Sequence, residues 1–132
     1  MMGAQAVAAH AYWILVVTGL LTIAPIGVTV LPGLGLRAAF GQVNPDVFTR
    51  TLARHWGLLV ALIGGLLVCA AFVPGLREAV MVAAIVEKLA GGLMFSIALP
   101  RRPTMMFIVG ADAVMALLYI LILAGSHARM PA

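Results

Sequence analysis

The chain has 132 residues, 64% of them hydrophobic and 9% charged, with a mean hydropathy of +1.18. Soluble domains carry about 25% charged residues, and disorder requires low hydrophobicity with high charge, so both classes are excluded. The net charge of +4 comes from cations scattered among loops. Without the basic stripe that a phosphate backbone demands, nucleic acid is not an expected partner. At roughly 20 apolar residues per bilayer crossing, the length suits one domain, 1–132, with about four crossings.

The first charge is Arg37, and the apolar stretch before it covers 11–31. A secretory signal needs a basic start and a short apolar run; this stretch has neither and reads as a retained first helix. Pro25 removes the hydrogen bond to the Leu21 carbonyl, which predicts a kink. Thr18, Thr22 and Thr29 lie on nearly the same face, where their hydroxyls can satisfy the freed backbone. Pro32, Gly33 and Gly35 end the helix and leave a loop through Arg37 and Phe40-Gly41 to Val43. Asn44-Pro45-Asp46 then reads as a helix start, with Asn as cap, Pro first in the helix and Asp in the first turn.

The second helix is predicted over 45–72, longer than the bilayer core is thick. It contains the single cysteine, Cys69, read as a small buried hydrophobe. Val73-Pro74-Gly75 makes the next turn. A third helix fits 79–99, ending at Pro100-Arg101-Arg102-Pro103, and a fourth fits 104–124, closed by Gly125-Ser126, with a frayed tail carrying His127, Arg129 and Pro131. The expected fold is therefore all-α, an integral membrane bundle of four transmembrane helices. Arg37, Arg50, Arg54, Arg101 and Arg102 fall on one side and only Arg77 and Arg129 on the other. Positive-inside bias then places both termini outside the cytoplasm, with Tyr12 and Trp13 at the outer interface.

Three charges sit where lipid would penalise them. Glu87 and Lys88 lie near the middle of the third stretch and Asp112 well inside the fourth. An ionisable group at the bilayer centre costs roughly 2.5–3.5 kcal/mol on insertion scales, so it faces the bundle interior, paired or neutralised. Glu87 is eight positions from Ala79 and Asp112 eight from Thr104, each ~12 Å deep at 1.5 Å per residue. The two helices run in opposite directions, so the groups meet near the midplane. Adjacent helical residues diverge by about 100°, which makes Asp112 the natural partner of Lys88 and leaves Glu87 to seek Arg54, His55 or a proton. Such a cluster serves either as an ionic network fixing helix register or as a functional site.

Small residues surround these charges: Gly57, Ala61 and Gly65 on the second helix, Ala83, Ala84, Ala90, Gly91 and Gly92 on the third, Ala113 and Ala116 on the fourth. They permit close helix approach in lipid, within the bundle or between copies in a homo-oligomer, or they leave a cavity. Tyr119, seven residues from Asp112, shares its face and extends the polar site. Met94 and Met115 read as core fillers. His55 lies where it can face the interior, as a satisfied polar residue, a general base or a haem ligand. The spacing of His10, His55 and His127 gives no divalent-metal cage, and phosphate, dinucleotide and hydrolase motifs are missing.

The proline-broken first helix, Phe40-Gly41, Arg54-His55-Trp56-Gly57, Glu87-Lys88 and Asp112 together resemble the small bacterial four-helix membrane proteins of the DoxX/BphX-like kind. That resemblance implies a bundle in the bacterial inner membrane. A weaker likeness is to styrene oxide isomerase, a small four-helix membrane protein that binds haem b through a histidine. Ala53-Arg54-His55 stands near that family's Ala-Arg-x-His element, lacking one residue, and Glu87 near its helix-three acid. Ala61 and Phe95 occupy positions near the family's asparagine and tyrosine. By this likeness His55 is the axial ligand of haem b.

The leading functional expectation is a polar midplane site for a small lipophilic molecule in contact with membrane lipid. Glu87, Lys88 and Asp112 are its reactive groups, with Arg54 and His55 lining it and Tyr119 at its edge. The alternatives are a haem b-dependent isomerase of the epoxide-to-carbonyl type, with iron on His55 as Lewis acid, and a structural or assembly subunit.

Overall fold

The computed structural model describes residues 2–98 and 102–127, and it is all-α. The elements are α1 (Met2–Ala9), α2 (Ala11–Ile23), α3 (Ile26–Val30), α4 (Pro32–Phe40), α5 (Val47–Phe72), α6 (Arg77–Ala98) and α7 (Pro103–His127), with one 3₁₀ turn at Pro74–Leu76. Four stretches are long and apolar enough to cross a bilayer: Ala11–Val30, Val47–Phe72, Pro74–Ala98 and Pro103–His127. The chain is thus a four-span helical membrane bundle. α7 continues through Gly125 and Ser126 to His127, which was expected in the tail; Leu99, Pro100, Arg101, Arg129 and Pro131 lie outside the described residues.

The first span breaks where proline predicts. The Leu21 carbonyl, deprived of its α-helical partner at Pro25, accepts instead from the Ala24 N–H at 3.2 Å, so a local 3₁₀ contact replaces it. The threonines do not perform the repair. Thr18 donates to the Ile14 carbonyl at 2.6 Å and Thr22 to the Thr18 carbonyl at 2.8 Å, each four residues back. Thr29 instead crosses to the Arg54 carbonyl on α5 at 2.8 Å.

Pro32 opens a helix where a loop was expected. At the first helical position its missing N–H is no loss, and α4 closes on Gly41 at φ 66°. The N–H groups of Gly41 and Gln42 then reach the carbonyls of Arg37 and Leu36, a left-handed glycine ending of the αL kind. The cap of α5 also differs from the expectation. Asn44 adopts φ 57°, and Asp46 caps the helix by accepting from the Thr49 N–H at 2.7 Å. That hydrogen bond holds the Asp46 carboxyl below its ordinary value of 3.8, because it favours the ionised form. At the far end of α5, Arg77 donates to the carbonyls of Ala70 and Ala71 at 3.0 and 2.8 Å, which satisfies groups that a helix terminus leaves open.

Two packed clusters form. One joins Ala11 and Leu15 of α2, Leu67 and Ala70 of α5, Met81 and Ala84 of α6, and Tyr119 and Ile122 of α7. The other, at the opposite end of the bundle, joins Val28 of α3, Leu36 of α4 and Ala53 of α5, with Phe40 and Trp56 against them. α2 and α5 cross closely because Gly19 and Gly64 face each other. A Cβ on Gly64 would lie 2.7 Å from the Gly19 carbonyl oxygen, and one on Gly19 2.8 Å from that of Gly64. Gly57 makes the same kind of contact under Pro25, whereas Gly65 has nothing within 4 Å. Cys69, expected inside, is exposed, and so is Met94; both face outward, where lipid would cover them.

Candidate functional site

Between the two clusters lies a cavity of about 420 Å³. The break at Pro25 turns α3 away from the line of α2, and α2 meets α7 at few positions beside it. The walls come from α2 and α3 (Leu21, Thr22, Pro25, Val28), α5 (Trp56, Val60), α6 (Glu87, Lys88, Gly91, Phe95) and α7 (Phe107, Ile108, Ala111, Asp112, Met115). Phe40, Trp56 and Phe95 close one end through edge-to-face contacts with centroids 5.7–5.9 Å apart. A shallower groove along α2 and α7 shares Leu21, Phe107, Ala111 and Met115 with the cavity. Leu21 and Phe107 are exposed, so the cavity opens sideways, toward lipid.

The charges predicted to meet do meet. Lys88, only 3% exposed, donates from Nζ to Asp112 Oδ1 at 2.7 Å. The same ammonium stands 3.8 Å from Glu87 Oε2; the four-carbon stem of lysine spans the angle between neighbouring helical positions. Glu87 Oε2 is buried and, among the described residues, has no hydrogen-bond partner. Two carboxyls thus share one ammonium on the wall of a largely apolar chamber. With all three ionised, the set carries one excess negative charge.

The remaining candidates lie elsewhere. Arg54 and His55 are exposed on α5 and do not line the cavity. Tyr119 is fully buried in the packed cluster with Leu15 and Leu67. Its hydroxyl has no hydrogen-bond partner among the described residues, and it does not line the cavity. The haem expectation is overturned. Among the described residues no group of three or more His, Cys, Asp or Glu is placed to hold a metal ion, and the one histidine proposed as axial ligand points out of the bundle. The physical reason is local: Ala53 and Trp56 take the inward positions of that turn, which turns His55 outward.

Sequence reasoning missed the aromatic lining. Trp56, Phe95 and Phe107 all line the cavity, and none of them is among the site residues expected from the sequence. The available signal was spacing: Glu87, Gly91 and Phe95 recur every four residues along one face of α6. Gly91 has nothing within 4 Å of its would-be Cβ, so its missing side chain is part of the chamber. No family model, curated protein or solved structure matches the chain. What the fold and site together establish is a polytopic four-helix membrane bundle with a charge-bearing internal cavity.

Proposed function

We propose that this protein binds a small lipophilic molecule inside the bilayer, holding its polar group against Glu87, Lys88 and Asp112. The observation that carries this reading is the cavity itself. Its volume falls within the range of small-molecule sites, and like them it pairs apolar walls with a few convergent polar groups. A charge network needed only for helix register would be served by closed packing around it, because buried ions are costly beside empty space. The lateral opening between α2 and α7 suits a ligand that arrives from the lipid phase. Positive-inside bias places the cavity in the cytoplasmic half of an inner membrane, and the outward-facing small residues Ala83 and Ala90 suit self-association.

The test fills the chamber without touching a charge. Gly91→Leu projects a side chain into space where Gly91 meets no neighbour. Saturable binding of tritiated 1-neopentylnaphthalene in nanodiscs, corrected for partition into protein-free nanodiscs, is expected for the native protein. It should fall about tenfold or more in Gly91→Leu while the melting temperature is kept. Equal binding in both proteins, or none above partition in either, overturns the reading and leaves a structural subunit.

A further inference from the structure

The composition of the site says which kind of lipophile it takes. Resting on the binding reading above, we infer that the occupant is a lipophilic monocation, an organic ammonium whose charge is met by Glu87 and whose body lies among Trp56, Phe95 and Phe107. Three observations converge. First, the cavity wall holds two carboxyls and a single ammonium, and that ammonium is committed to Asp112 at 2.7 Å. Second, Glu87 Oε2 lies 3.8 Å from the same nitrogen without a hydrogen bond, so its acceptor capacity is unspent. Third, the lining carries aromatic rings, whose faces attract cations, and this attraction strengthens when water is excluded.

Among the described residues, no other charge completes the set. α7 presents Asp112 to Glu87. α5, the other long helix packed on α6, presents Trp56 and Val60 to the cavity, while its Arg54 and His55 are exposed. α2 and α3 line the chamber with Leu21, Thr22, Pro25 and Val28 and no ionisable group. A carboxyl in this position is neutralised either by a proton or by a cation, so the two compete. Arrival of an ammonium releases that proton to water and leaves carboxylate, ammonium ligand and the Lys88–Asp112 pair in overall balance. An anionic lipophile would bring negative charge to a wall that already holds two carboxyls against one ammonium, so the site disfavours it.

The experiment uses three naphthalene probes of matched shape on the whole protein in nanodiscs: (1-naphthylmethyl)trimethylammonium, its uncharged carbon isostere 1-neopentylnaphthalene, and 1-naphthylacetate. The cation is expected to bind about tenfold or more tighter than the isostere, and the anion not at all above partition. Acidifying the buffer should weaken the cation and leave the isostere unchanged, a measurement that needs no variant. Glu87→Gln should abolish the preference for the cation over the isostere, and Glu87→Asp should keep part of it. Isostere binding equal to cation binding, or an unchanged cation preference in Glu87→Gln, overturns the inference but leaves the binding function standing. Absence of binding by all three probes overturns both.

Discussion

The two ends of the bundle are built on opposite principles. At the end holding α1, the α5–α6 turn and the close of α7, glycine backbones touch across α2 and α5, and Leu15, Leu67 and Tyr119 have no exposed surface. Toward the end beneath α4, a chamber walled by α2, α3, α5, α6 and α7 contains the charged groups. The divide falls near Pro25. Above it an unbroken α2 lies flat on α5; below it α3 still rests on α5 through Gly57 and the Thr29–Arg54 hydrogen bond, and the space opens toward α6 and α7 with aromatic rings at its end. In lipid there is no hydrophobic drive for helices to associate, so contact quality decides where they hold. The packed end supplies the cohesion that lets the other end stay open.

Substitutions can break this division. The largest effect is expected for Lys88→Met, which leaves two carboxyls without their ammonium and should cost about 3–5 kcal/mol in unfolding from bicelles. Adding Asp112→Leu and Glu87→Gln should return most of the loss, because a buried ionic set replaced by apolar or neutral groups is often tolerated. Failure of that rescue would mean that the charges themselves hold the open end together. A smaller effect tests the packed end. Gly64→Ala drives a methyl group against the Gly19 backbone at 2.7 Å and should lower stability by about 1–3 kcal/mol. Gly65→Ala, one position along with nothing within 4 Å, should stay within about 0.5 kcal/mol.

The mildest effect comes from acid. The Asp46 carboxyl titrates below its ordinary value of 3.8 because the Thr49 N–H stabilises its ionised form. Its stabilisation is complete above that ordinary value and disappears as pH falls through the lower folded one. Amide exchange at Val47–Thr51, at the open end, should therefore quicken in that acid window, while exchange at Leu67–Ala71 stays slow. Equal quickening at both ends would contradict the division.

Spans and charge pairing were legible because each rests on a single strong constraint. Uncharged runs longer than a bilayer is thick leave little alternative to crossing it, and Lys88 at the depth of Asp112 had one natural partner. Finer features rested on competing preferences. Pro32 reads equally as a terminator and as a first helical residue, and α4 resolved it toward the latter because Gly41 offered a left-handed ending nine residues on. The outward turn of His55 was illegible since Ala53 and Trp56, not the polar pair between them, took the inner positions. Gly64 rather than Gly65 marked the helix crossing, a choice that depends on where Gly19 falls on another helix. The cavity depended on the lateral shift after Pro25, which no periodicity within one span records.

Lys88 reaching across to Asp112 also bears on how the chain enters its membrane. During biosynthesis the third span reaches the translocon with two neighbouring ionisable groups and no counter-ion from the last span, a burden of several kcal/mol by insertion scales. Relief comes only when α7 is delivered alongside. The final two helices are therefore suited to partition into lipid together, as a hairpin, after the first two have settled.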